Sequence, residues 1–242
     1  MENKGVKAII FDLDNTLIDT HGAGEVALLK VGEFLKSSLN LDDASTETIC
    51  SRFKQKLYHE VFNPLSGKTI DQLRSQHWEE SVRETVGSCP GESFGSDCYR
   101  LWKSSRLQLL TMSPEVQALL VHLRTRYKLL LLTNGVTQTQ REKVEVSNSE
   151  EFFDEVVVGG EHEEQKPSVL IFRMCFEMLG VEAQDCVMVG DSLDTDIQGG
   201  LKANVRATVW IKRPGSSESE SIKPHFTISN VLELPRVLAQ LN

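Results

Sequence analysis

Ala8-Ile9-Ile10-Phe11-Asp12-Leu13-Asp14-Asn15-Thr16-Leu17 is the stretch that decides the fold. Four apolar residues, two of them β-branched, run into a polar cluster, which is how a short buried strand ends. Asp12 and Asp14 therefore stand where that strand stops, and side chains at i and i+2 of an extended chain point the same way. In open α/β sheets the carboxyl edge of the strands is where ligands bind. Two carboxylates converging on one small volume with apolar walls are costly unless something positive lies between them.

The same rhythm resumes at residue 113. Ser113-Pro114-Glu115 is an N-cap followed by proline at the first helical position, opening a helix to about residue 126. Apolar runs at 128–133, 155–159, 186–190 and 207–211 read as four more buried strands. Helices fit between them at about 136–146, 168–179 and 195–203. Alternation of this kind predicts an α/β protein with a doubly wound parallel sheet.

The stretch between gives no strand signal. Ala27, Leu28, Val31, Phe34 and Leu35, then Ile49, Phe53, Leu57 and Val61, recur at helical spacing. Further amphipathic runs lie around 73–86 and 99–110, with breaks at Asn63-Pro64, Ser66-Gly67 and Cys89-Pro90-Gly91. About four helices can form a small bundle of their own. The expected organisation is a core of residues 1–19 and 112–242 carrying an inserted α-helical bundle of residues 20–111. Hinges are expected near 19–24, where Gly22 and Gly24 suit the role, and near 109–113. Residues 215–221, rich in serine and glutamate, read as a mobile surface loop.

Composition narrows the function. Of 242 residues, 40% are hydrophobic and 25% charged, ordinary for a globular protein. The net charge of −9 disfavours nucleic acid or an anionic membrane as partner. No apolar run approaches the ~20 residues that span a bilayer, and residues 1–5 lack the apolar region of a secretory leader. Five cysteines without a CxxC pair read as reduced thiols of a cytoplasmic protein. Oligomeric state is not legible.

Three predicted strands end in groups that suit phosphoryl transfer: Asp12 and Asp14; Thr133-Asn134-Gly135; and Gly190-Asp191, with Asp194 and Asp196 beyond. Lys166-Pro167 opens a further helix at the same edge. A carboxylate cluster without histidine or cysteine selects magnesium over zinc. Such an ion neutralises and aligns a phosphate. One carboxylate can be the nucleophile and a second the acid–base group. A threonine, backbone N–H groups and a lysine can hold the phosphoryl oxygens. Singly, each has a plainer reading: aspartates at strand ends cap turns, and Asp194 reads as the cap of the helix near Thr195.

Asp12-Leu13-Asp14-Asn15-Thr16, Leu132-Thr133-Asn134-Gly135, Lys166-Pro167 and Gly190-Asp191-Ser192-Leu193-Asp194-Thr195-Asp196 resemble, in order and spacing, the four motifs of the haloacid dehalogenase superfamily. The helical insert resembles that superfamily's C1-type cap, which opens and closes over the site. The resemblance implies Asp12 as nucleophile and magnesium ligand, and Asp14 as acid–base group with its carbonyl on the metal. It implies Asp191 as the third protein ligand, and Asp196 as a carboxylate orienting the metal's waters or Lys166. The backbone of Leu13 and Asp14, with Thr133, Asn134 and Lys166, would bind phosphate. His77-Trp78-Glu79-Glu80 and Leu101-Trp102-Lys103-Ser104 resemble cap segments of family phosphatases for phosphorylated sugar acids, which implies such a substrate. The remote carboxylate of a sugar acid suits a bidentate arginine. Arg74 is the candidate, ahead of Arg106 and Lys103, against a plain ion pair with a nearby glutamate. Another small phosphate ester, a dehalogenase, which Asp14 argues against, and a non-catalytic binding protein are the rival readings.

Overall fold

The strand from Ala8 to Phe11 (β1) is buried at every position and lies in the middle of the sheet. The computed structural model describes residues 5–91 and 93–241. Two units divide it, Met1–Asp19 with Thr111–Asn242, and Thr20–Leu110.

The second unit holds four helices: α1 (Thr20–Leu39), α2 (Asp43–Tyr58), α3 (Ile70–Val86) and α4 (Phe94–Leu107). Local chemistry sets their ends. Asp42 accepts from the Ser45 N–H at the start of α2, and Thr69 and Gln72 form a reciprocal capping box at α3. The bundle core is aromatic: Phe53 stacks on Trp78 with ring centroids 3.9 Å apart and meets Trp102 edge-on at 5.4 Å. Gly22 and Gly24, expected at a hinge, lie inside α1 instead. The apolar stripe that follows carries the helix through them.

The first unit continues with α5 (Pro114–Arg124), β2 (Lys128–Thr133), α6 (Thr137–Val146), β3 (Glu155–Val158), α7 (Val169–Leu179) and β4 (Cys186–Gly190). A π-turn at Leu193–Ile197 runs into α8 (Gln198–Lys202), then come β5 (Ala207–Ile211), β6 (Phe226–Ile228) and α9 (Leu234–Leu241). The six strands are all parallel in the order β3-β2-β1-β4-β5-β6. Strands buried on both faces need continuous apolar runs, and Leu129–Leu132 and Cys186–Val189 supply them with no exposed residue. The chain order reverses at β1, so the sheet has its switch point between β1 and β4.

Two expectations for this unit change. β6 and α9 extend the sheet and its cover beyond the four later strands expected. β6 is only three residues long and buries just one of them, Ile228, so it carries no run to read. The segment after β4 turns at Ser192, whose side chain accepts from the Thr195 N–H, so Ser192 and not Asp194 is the cap. Just past the serine-rich loop, Ile222 is buried with Ile197 and Trp210. No helix among the described residues is long and apolar enough to cross a membrane.

Candidate active site

The sharp turn after β1 is made by the Leu13 carbonyl, which accepts from the N–H groups of Thr16, Leu17 and Ile18. Asn15 takes the left-handed conformation (φ 59°), which asparagine tolerates well. This turn leaves Asp12 at the strand end, buried, and sends the Asp14 carboxylate to a different set of partners.

Lys166 gathers the first set. Its Nζ donates to Asp12 Oδ1 at 2.8 Å and to the Leu132 carbonyl at 2.6 Å, and lies 2.8 Å from Asp196 Oδ1. Thr16 Oγ1 donates to Asp12 Oδ2 at 3.1 Å, so both Asp12 oxygens are held. Asp196 also accepts from the Ser192 N–H at 3.0 Å. Its approach depends on Gly190, where a Cβ would come 2.1 Å from Asp196 Oδ2. Asp191, one residue past β4, is fixed by its own carbonyl, which accepts from Trp210 Nε1 at 2.8 Å. Arg213 lies 3.8 Å from the Asp191 carboxylate.

Asp12, Asp191 and Asp196 can each present an oxygen within 4.8 Å of the others. Burial pushes the Asp12 carboxyl up to about 8; Lys166 opposes the rise, and the Asp196 and Asp14 charges add to it. Burial, with Asp196 next, lifts Asp191 to about 6. Burial alone would lower Lys166, but Asp12 and Asp196 outweigh it and raise it. Three carboxylates facing the Lys166 ammonium, with the Arg213 guanidinium 3.8 Å from one of them, leave excess negative charge in a buried volume, and every donor there is a hard oxygen. That donor set fits a magnesium-type ion. Asp12 and Asp196 each have protein partners on both oxygens, whereas the Asp191 carboxylate has the Arg213 guanidinium at 3.8 Å.

The family model for haloacid dehalogenase-like hydrolases matches residues 6–204. This chain belongs to the haloacid dehalogenase-like hydrolases. It is 48% identical to the N-acylneuraminate-9-phosphatases of Rattus norvegicus and of Homo sapiens, over 98% of this chain and 95% of each relative. Among solved structures, a HAD-hydrolase from Bacillus subtilis superposes with TM-score 0.70 at 22% identity, covering 97% of this chain and 99% of its own.

Within this haloacid dehalogenase fold the motif residues divide by task. The Asn134 carboxamide is engaged at both ends with the backbone of residue 166: Nδ2 donates to the Lys166 carbonyl at 2.8 Å, and Oδ1 accepts from its N–H at 3.0 Å. Asn134, expected as a phosphate contact, braces the backbone of Lys166 with its side chain. Thr133 is fully buried at the end of β2. Gly135 follows with φ +125°, a conformation that side chains rarely adopt.

Arg74, expected to read a substrate carboxylate, has its guanidinium on Glu60, with Nε 3.1 Å and Nη2 2.8 Å from Oε1. His77 lies 3.4 Å from the other oxygen of Glu60. The plainer ion-pair reading describes this geometry better, because the bidentate fork already has its carboxylate.

Sequence reasoning passed over Thr16, Gln140, Lys143, Trp210 and Arg213. Gln140 and Lys143 had a signal. They lie three apart on one face of α6 beside Val144, and polar residues on a buried helix face have a reason to be there.

Proposed function

We propose that this chain is a magnesium-dependent phosphatase that hydrolyses N-acylneuraminate 9-phosphate to the free sugar acid and phosphate. The observation that carries this reading is the 48% identity to N-acylneuraminate-9-phosphatases, which runs through 98% of the chain and so includes the helical insert as well as the motifs. Five free cysteines support a reducing, cytoplasmic setting.

Asp12, Asp191 and the Asp14 carbonyl would hold the magnesium ion, which supplies charge neutralisation for the phosphoryl group. Asp12 attacks phosphorus through one carboxylate oxygen. The bond from phosphorus to the ester oxygen breaks, and Asp14 gives its proton to the departing alkoxide. A water then attacks the aspartyl-phosphate as Asp14 takes the water's proton, releasing phosphate and restoring Asp12. Lys166, braced by Asn134 and Asp196, keeps Asp12 in place for attack. It carries the positive charge that the transferring phosphoryl oxygens meet, with Thr133 and the backbone of Leu13 and Asp14.

Phosphate release tests this reading. N-acetylneuraminate 9-phosphate would be compared with phosphoglycolate, glucose 6-phosphate and 6-phosphogluconate, each with magnesium or EDTA. Strong preference for the sialic acid ester, abolished by EDTA and by Asp12→Asn, is expected. Equal or better turnover of another ester would overturn the substrate and leave the chemistry standing. Full turnover in EDTA would overturn the metal.

A further inference from the structure

Helix α6 carries a second buried ammonium that the chemistry above does not use. Lys143 Nζ lies 2.8 Å from Asp14 Oδ1 and 2.6 Å from Asp14 Oδ2, and the residue is nearly inaccessible to water. One turn earlier Gln140 Nε2 donates to Asp14 Oδ2 at 3.0 Å, and it also reaches Thr133 Oγ1 at 3.0 Å and the Asn134 carbonyl. An amide NH2 has two hydrogens, so these three acceptors share them. The Gln140 Oε1 is buried with no hydrogen-bond partner. Burying an ammonium and an amide on a helix is expensive, and here both converge on a single carboxylate.

We propose that Lys143 and Gln140 are positioning residues for Asp14. Together they hold its carboxylate in one orientation, with Lys143 on both oxygens and Gln140 on Oδ2. The inference rests on the reading of Asp14 as the acid–base group. An aspartate carboxylate otherwise turns broadly about its last torsion. Donors on both oxygens remove that freedom, and a misplacement of about 1 Å in a reacting group can cost on the order of 100-fold in rate. Because Gln140 also reaches the end of β2, the same amide sets Asp14 in register with Thr133.

The leaving group separates this role from a structural one. A sugar alkoxide needs a proton to depart, whereas p-nitrophenolate leaves without one. The constant kcat/KM reports the step in which the leaving group departs. The ratio of kcat/KM for N-acetylneuraminate 9-phosphate over p-nitrophenyl phosphate is also independent of how much of a preparation is folded. It would be measured for wild type, Lys143→Met, Lys143→Arg, Gln140→Leu and Asp14→Asn. The ratio is expected to fall about tenfold or more in Lys143→Met and in Gln140→Leu. Lys143→Arg should recover part of it, and Asp14→Asn should lower it at least as far. An unchanged ratio in Lys143→Met or Gln140→Leu, beside a fall in Asp14→Asn, removes that residue from the role and leaves the acid–base reading intact. An unchanged ratio in Asp14→Asn overturns that reading, and the inference with it.

Discussion

Gly190 shows how narrowly one residue can set this site. A Cβ there would strike Asp196 Oδ2 at 2.1 Å, and the obstruction belongs to the carboxylate that steadies Lys166. Gly190→Ala is expected to cost about 2 kcal/mol of stability or more and on the order of 100-fold in kcat. Urea unfolding and phosphate release would measure the two, and wild-type values in both would contradict the account. The carboxylates at strand ends were legible because several of them recur in order where apolar runs stop, although each alone reads as a turn cap. Lys166 was legible only as part of an ordered set, and its deep burial was not. The bracing role of Asn134 was not legible at all. It depends on a contact across 32 residues, and no local pattern encodes which end of an amide meets which backbone group.

At the scale of elements, the helical unit has its own electrostatic joint between α3 and the segment after α2. Burial by itself would raise the Glu60 carboxyl, but His77 and Arg74 beside it outweigh burial and hold Glu60 below its usual range. An acid with a depressed folded pKa contributes stability in full above its ordinary value, near 4.5. That contribution is lost as pH falls through the lower folded value. Unfolding of the full chain, followed by tryptophan fluorescence that Trp78 and Trp102 largely report, should lose stability on acidification below about pH 5. Glu60→Gln should flatten that loss; an equally steep loss in the variant would assign it elsewhere. Arg74→Ala leaves a largely buried carboxylate without its fork and should cost about 2 kcal/mol. A selective rise in KM with unchanged stability would instead restore Arg74 as a substrate contact. The four helices were legible because their apolar stripes recur at helical spacing. Strand β6 was not, since three residues with one buried side chain carry no period.

For the whole molecule, the order β3-β2-β1-β4-β5-β6 places Asp12 and Asp191 on the two strands that flank the switch point. Alternating strands and helices made the doubly wound parallel sheet legible. The acids at the strand ends also made an excess of negative charge there legible; what no pattern gave was that Asp196 and Lys166 lie fully buried within it. That charge gives a prediction free of turnover. Magnesium at about a hundredfold excess over its dissociation constant should stabilise the native chain by about 2.7 kcal/mol. This amounts to a rise of several degrees in the thermal midpoint. The rise should be lost in Asp191→Asn, and an equal rise in that variant would place the ion elsewhere.

The most direct test of the central claim is acid-quenched turnover of N-acetylneuraminate 9-phosphate with magnesium, followed by peptide mass mapping. The account predicts one phosphoryl group on the peptide that carries Asp12, absent when the substrate is omitted and absent in Asp12→Asn. A phosphoryl group on any other residue, or turnover that persists in Asp12→Asn, would contradict it.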